Sequence, residues 1–227
     1  MFYFNDNDIV VPGDVIGEGK NLRAGEGVYK ENREIIAEKV GMLSLKGSSV
    51  KVIPLKGFYA PSKGDFVIGF IISSSLTSWD VYIRSTYPAR LNASDFLGRR
   101  VDVEKEDISK HLSKGDVIYG KIERVNRYGS SNITTRDSKF LGKLEEGHIV
   151  TIKPPRVPRV IGRKLSMLSI LRKEAKVLVG DNGFIYIKTD SLKKFKVLRE
   201  AIKMIEEEAF VSGLTGRVKE FISEKLG

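Results

Sequence analysis

The sequence predicts a multidomain chain, mainly β over its first two thirds and α+β over its last third. Three observations carry this. Over residues 1–60, strand-length apolar runs are broken repeatedly by glycine. Over residues 61–145, further strand-length runs surround one stretch of helical spacing. From residue 149 the pattern becomes strand, helix, helix, strand, strand, helix, with one more amphipathic helix behind it.

The first module opens on a Pro12-Gly13-Asp14 turn signal. Residues 35–37, 42–45 and 50–53 are strand-length runs, and Gly25, Gly27, Gly41, Gly47 and Gly57 punctuate them. This reads as a small β domain, a flattened barrel or half-barrel, with nothing catalytic in it. After Pro61-Ser62-Lys63-Gly64-Asp65, residues 66–72 read as an apolar strand, Ser73-Ser74-Ser75 as a turn, and 79–84 as an alternating strand. Trp79, Val81 and Ile83 share one face, which places Trp79 in a core. Residues 91–95, 117–125 and 131–136 complete five strands, with 104–112 as a helix between them. Five short strands and one helical insertion suit a closed barrel of the oligonucleotide-binding (OB) kind.

In the last third, 149–152 reads as a strand, and 157–161 and 166–174 as short helices on either side of Gly162. Strands at 176–179 and 184–188 flank Gly180-Asp181-Asn182-Gly183, where Asn-Gly favours a tight hairpin turn. Leu192, Phe195, Leu198, Ile202, Ile205 and Ala209 recur at three- and four-residue spacing, one face of a long helix. Leu214, Val218, Phe221 and Ile222 mark the final helix. The expected domains are 1–60, 61–145 and 146–227.

The formal net charge of the 227-residue chain is +10. Residues 148–227 carry 17 Lys/Arg against 9 Asp/Glu, whereas residues 1–147 carry 22 against 20. The run 153–173, KPPRVPRVIGRKLSMLSILRK, holds seven positive charges and no negative one. A localised basic excess with interleaved apolar residues points to a polyanion, with nucleic acid ahead of an acidic membrane surface. No apolar run reaches the roughly 20 residues of a membrane span, and the N-terminus lacks a basic-then-apolar signal. The chain has no cysteine, which excludes disulfides and thiolate metal sites and fits a reducing cytoplasm. Only His111 and His148 are available as histidines. Asp102, Glu104, Glu106 and Asp107 alternate with lysines, the pattern of a solvated helix. The sequence implies no metal, no cofactor and no catalytic constellation.

VPRVIGRKLSMLSILR at 157–172 resembles the first two helices of a type I K-homology (KH) domain, where Val-Ile-Gly enters a Gly-x-x-Gly loop. Upstream, KGDFVIGFI, WDVYIRSTYPARLNASDFLGR, GDVIYGKIERV and ITTRDSKFLGKLEEGHIVTI resemble the RNA-binding barrel of ribosomal protein S-one. A β domain, an S-one barrel and a KH domain in this order resemble the RNA-binding cap subunits of the archaeal exosome, the ribosomal-RNA-processing protein four type, over nearly the whole chain. The resemblance implies a non-catalytic subunit that captures single-stranded RNA. It implies docking through the N-terminal β domain on a hexameric ring of phosphorolytic, RNase PH-like subunits, in three copies whose barrels line an entry pore. It also implies that Gly180, Asn182 and Gly183 form a structural turn. One departure is visible: the loop reads Gly162-Arg163-Lys164-Leu165, so a side chain stands where a second glycine would let backbone approach phosphate.

Small barrels bind single strands with basic side chains along the phosphates and aromatic rings against the bases. The candidates in the barrel are Arg84, Tyr87, Arg90, Lys121, Arg124, Arg127, Tyr128 and Arg136, with Tyr82 as a further aromatic. In the last third they are Arg156, Arg159, Gly162, Arg163 and Lys164. Two other functions fit parts of the pattern: a transcription or translation factor built from the same modules, and a stand-alone nuclease. The second lacks a carboxylate constellation or a nucleophile–base pair.

Overall fold

The computed structural model describes residues 1–227 apart from 7, 55–58, 103, 139, 210 and 212; Gly57, expected to punctuate the first module, lies outside the described residues. The chain forms two compact units, Met1–Gly57 and Phe58–Gly227.

The first unit holds β1 (Ile9–Val10), β2 (Val15–Glu18), β3 (Arg23–Ala24), β4 (Val28–Glu31), β5 (Glu34–Ala37), β6 (Gly41–Lys46) and β7 (Ser49–Pro54). These make two sheets, ordered β2-β5-β4 and β1-β6-β7-β3, the small β domain expected as a flattened barrel or half-barrel. Both contribute to one core of Val10, Ile16, Val28, Ile35, Ala37, Leu43, Val50 and Val52. The strands are too short to curl into a continuous sheet, so two small ones close over the shared apolar faces.

The second unit continues with β8 (Phe66–Ser74), β9 (Ser78–Tyr82), β10 (Ala89–Asn92), α1 (Ala93–Leu97), β11 (Val117–Val125) and β12 (Ser131–Thr134). Neighbours run β12-β10-β9-β8-β11, and β11 pairs again with β12, which closes a five-stranded barrel. The β10–β12 pairing is parallel, with Arg90 opposite Asn132 and Leu91 opposite Ile133. Two-residue β13 (Gly142–Lys143) adds to β11. The barrel is filled by Val67, Ile71, Trp79, Val81, Ile83, Leu91, Ile118, Ile122 and Ile133. Trp79 is fully buried and its Nε1 donates to Leu112 O at 3.0 Å. Gly69 lies against this wall, where a Cβ would come within 2.4 Å of Val81.

The chain ends with β14 (His148–Thr151), α2 (Val157–Ile161), α3 (Ser166–Glu174), β15 (Lys176–Val179), β16 (Phe184–Lys188), α4 (Leu192–Glu207) and α5 (Leu214–Leu226). This is the βααββα order with a tail helix, on an antiparallel sheet ordered β14-β16-β15. Val177, Val179, Ile185 and Ile187 face the helices, meeting Val160, Leu171, Leu198 and Ile202. Leu178, Phe184 and Tyr186 face the other way and pack with Ile68 of the barrel. That double burial explains why 66–72, 176–179 and 184–187 read as continuous apolar runs with little alternation.

Four expectations needed correction. Residues 104–112 form no α-helix; a single 3₁₀ turn covers Ile108–Lys110. Asp102 Oδ1 accepts from Glu104 N and Asp107 Oδ1 from Ser109 N, local bonds that compete with helix. Only Ile108 and Leu112 of this stretch are buried apolar anchors. Residues 91–95 split: the strand stops at Asn92, and Asp95 sits in α1, which Gly98 ends at φ 70°. Ser73 and Ser74 stay in β8 past a bulge, with Ser73 Oγ donating to Asp80 Oδ2 at 2.7 Å. Leu192 opens α4 with 69% of its surface exposed, and the buried face is Val197, Leu198, Ala201, Ile202 and Ile205.

Candidate nucleic-acid interface

Because β10 and β12 run parallel side by side, the loops that enter them, 83–88 and 126–130, lie at one end of the barrel. They touch: a Cβ on Gly129 would sit 3.6 Å from the Tyr87 ring. Asn126 shapes the second loop, its Oδ1 accepting from both Tyr128 N and Ser130 N at 2.9 Å. The turn leaves Tyr128 82% exposed and Tyr87 50% exposed. Arg127 stands exposed between Asn126 and Tyr128. On the outer wall below, Asn132 is opposite Arg90 on one side and Arg124 on the other, and both arginines are exposed. Among the described residues no carboxylate is within ion-pair distance of Arg90, Arg124 or Arg127. The arrangement offers two aromatic faces and three guanidinium groups on one end and flank of a barrel, with Asp80 as the cross-strand neighbour of Arg90. That is the chemistry that holds a single-stranded polyanion.

The other barrel candidates are placed differently. Arg84 adopts φ 62° and turns its guanidinium away from solvent. Its Nη1 donates to Ile152 O at 2.8 Å and to Asn182 O at 3.3 Å, and the group lies over the Phe184 ring. It fastens the barrel to the βα module. Lys121 Nζ is 2.6 Å from Asp137 Oδ2. Arg136 donates to Ser94 O and faces Asp95 Oδ1 at 3.4 Å. Tyr82 is half exposed, in a T-shaped contact with Phe184. The clustered set is therefore Tyr87, Arg90, Arg124, Arg127 and Tyr128.

The basic run divides by geometry. Pro154–Arg156 forms a 3₁₀ turn into α2, with Pro158 in the helix's first turn, where a missing N–H is harmless. Arg156 is half-buried; burial lowers its pKa, Glu206 opposes the shift and Arg159 adds to it. Arg159 is exposed, Nη2 at 3.5 Å from Val211 O. Gly162 ends α2 at φ 73°, ψ 166°, and a Cβ there would meet Met167 N at 2.7 Å. Arg163 and Lys164 are exposed. Lys164 and Leu165 both adopt left-handed φ, 51° and 63°, which is costly for L-residues other than glycine. A cleft of about 170 Å³ lies beside this loop, α3 and β15. Phe66 and Tyr119 of the barrel form one wall of it, with Ile161, Leu165, Leu168 and Val179. Tyr119 OH donates to Val179 O at 3.2 Å, and burial followed by the nearby Asp181 charge pushes its pKa up to about 12.

The turn 180–183 plugs into the barrel. Asn182 is fully buried, its Nδ2 donating to Ile68 O at 2.7 Å and Ile83 O at 3.0 Å. Asp181 N donates to Phe66 O, and Asp181 Oδ2 accepts from Phe66 N at 2.8 Å. Burial raises the Asp181 pKa. The sequence reading missed Phe66, Tyr119 and Asp181; their partners are more than 50 residues away, so no local signal marks them. Among the described residues no group of three or more His, Asp or Glu side chains is placed to hold a metal ion, and no helix is long and apolar enough to cross a membrane.

Comparison with known proteins agrees with this geometry. Residues 7–56 match the family described as the exosome RNA binding protein RRP4 N-terminal domain, and residues 59–146 match the S1 domain of exosome complex component RRP40. Exosome complex component Rrp4 of Methanothermus fervidus is 39% identical over 228 residues, covering 100% of both chains. The protein of the same name from Pyrococcus abyssi is 37% identical over 229 residues, 99% of this chain and 85% of that one. A crystal structure of a protein described as an exosome complex RNA-binding protein is 40% identical and superposes with a TM-score of 0.68, over 75% of this chain and 98% of that one. With full-length identity at this level, and with the β domain and S1 barrel in the same order, the chain belongs to the Rrp4 family of exosome components.

Proposed function

We propose that this chain is a non-catalytic RNA-binding cap subunit of an archaeal, cytoplasmic exosome. It captures single-stranded RNA and passes it to a phosphorolytic ring for 3'-5' degradation or processing. The observation that carries the reading is the barrel end, where Tyr87 and Tyr128 are exposed beside Arg90, Arg124 and Arg127. Phosphate contacts by such a set are sequence-independent, which suits a subunit that accepts many RNAs. The relatives are named as components of an exosome complex, which supports the assembly side of the reading.

The division of labour follows the three expected domains. Residues 1–60 dock on the RNase PH-like ring subunits, 61–145 form the RNA-binding barrel, and 146–227 form a KH domain; three copies cap one ring. Gly180, Asn182 and Gly183 act as a structural turn. Arg156, Arg159, Arg163 and Lys164 with Gly162 contribute attraction for RNA.

The test is direct. The purified chain is incubated with labelled single-stranded RNA, phosphate and magnesium at low salt. The proposal expects a retarded complex with RNA of unchanged length. Shortened RNA makes the chain a nuclease and overturns it, as does failure to bind at low salt.

A further inference from the structure

The second unit carries a groove that the barrel-end site does not use. It runs along the seam between the barrel and the βα module, with a volume of 480 Å³, in the range of sites that hold a small ligand. Its walls include Phe66, Tyr119, Phe140, Leu178, Arg172 and Lys176. Phe140 is 77% exposed, and Phe66 is exposed as well. Two exposed phenylalanines on one apolar groove call for an occupant.

The walls state what that occupant is. Phe66 and Tyr119 form an offset stack, ring centroids 5.9 Å apart at 27°. The Tyr119 hydroxyl is tied to Val179 O, so the pair presents a fixed aromatic wall. Arg172 Nε donates to Val177 O at 3.0 Å, which holds its guanidinium at the rim. Lys176 adds a second cation, and no carboxylate is among the lining residues. An aromatic wall with cations at its lip matches a flat π-system that carries a phosphate. A peptide strand is a poorer match. β15 is the edge strand of its sheet, but Val177 O and Val179 O are already taken by Arg172 and Tyr119. Addition of a strand to that edge is thereby blocked.

We infer that this groove is a second RNA station, accepting one unstacked nucleotide of a single strand, its base against Phe66, Tyr119 and Phe140 and its phosphate at Arg172 and Lys176. The inference rests on the RNA-binding reading above and extends it to the groove between β8, β11 and β15. Two stations on one compact unit hold a strand in direction as well as in place, and their contributions multiply when one strand reaches both.

The experiment uses the full chain and a single-stranded oligoribonucleotide carrying 5-iodouridine. On irradiation, adducts are expected on peptides containing Tyr119 or Phe140, in addition to adducts on the 83–88 and 126–130 loops. Phe140→Ala, at an exposed position, is expected to weaken RNA binding roughly five-fold or more, the effect of one stacked base. Lys176→Glu is expected to weaken it further with a shallower salt dependence. Adducts confined to the barrel-end loops, with unchanged affinity of Phe140→Ala, overturn the inference. So does capture of an acidic aromatic peptide at Phe140 with no RNA adduct there. If Tyr128→Ala weakens binding and Phe140→Ala does not, the groove fails alone; if the unaltered chain binds no RNA, the reading beneath it fails.

Discussion

Asn182 sits fully buried 114 residues from its partners in β8, yet its side chain completes the backbone bonding of Ile68 and Ile83. Asn182→Ala leaves two buried carbonyls without a donor, and should cost about 2–4 kcal/mol. Urea unfolding of the protein measures this; an unchanged midpoint would remove Asn182 from the structural account. From the sequence, Asn182-Gly183 read only as a hairpin turn, because propensity reports local φ and says nothing about a distant strand. The sequence offers Arg84 as an RNA contact and does not show its bond to Ile152 O, 68 residues on. A second residue-scale test concerns Glu106, which accepts from Arg99 and from His111 Nε2. These bonds, Arg99 first, hold its pKa at about 2, below the ordinary 4.5. A depressed carboxylate contributes above its unfolded pKa and loses that contribution as pH falls through the folded one. The protection factors of amides in segment 99–112, taken against the intrinsic exchange rate at each pH, should therefore fall as pH drops from 4.5 toward about 2. In Glu106→Gln that acid-dependent loss of protection should be absent.

At the scale of elements, strands and helices with one strong pattern were legible. Residues 117–125, 157–161, 166–174, 176–179 and 184–188 have the limits their sequence gives them. The misread segments have competing local chemistry: aspartates that bond the next backbone amides at 102–109, and a serine run held in β8 by Ser73 and Asp80. The basic run resolves into two helices and a loop, and Phe66 and Tyr119 line the cleft beside that loop. The sequence showed the altered loop at Leu165 but not the barrel side chains that wall the space next to it. The proposed barrel-end contact rests on the loops 83–88 and 126–130. Tyr128→Ala should weaken single-strand binding by about 1–3 kcal/mol. Arg127→Ala should reduce the slope of log affinity against log salt by about 0.7, the share of one phosphate contact on a single strand. Both are read from titrations across salt concentrations, and equal slopes for the variant and the unaltered protein would place Arg127 off the path.

For the molecule as a whole, two compact units and full-length identity to exosome components frame the account. The order of modules was visible in composition, glycine spacing and the final amphipathic helices. The joining of barrel and βα module into one unit was not, since it depends on both faces of β8 and β16 being covered at once. Deleting residues 1–57 should leave 58–227 folded and able to bind RNA while removing ring association; co-elution of the truncated chain with the ring would refute N-terminal docking. The claim that all of this serves is membership in an RNA-degrading assembly, and one measurement addresses it: the composition and mass of the complex purified with the tagged chain from its native source. The account predicts phosphorolytic ring subunits with three copies of this chain per ring. Recovery of polymerase or ribosomal components without ring subunits would contradict it.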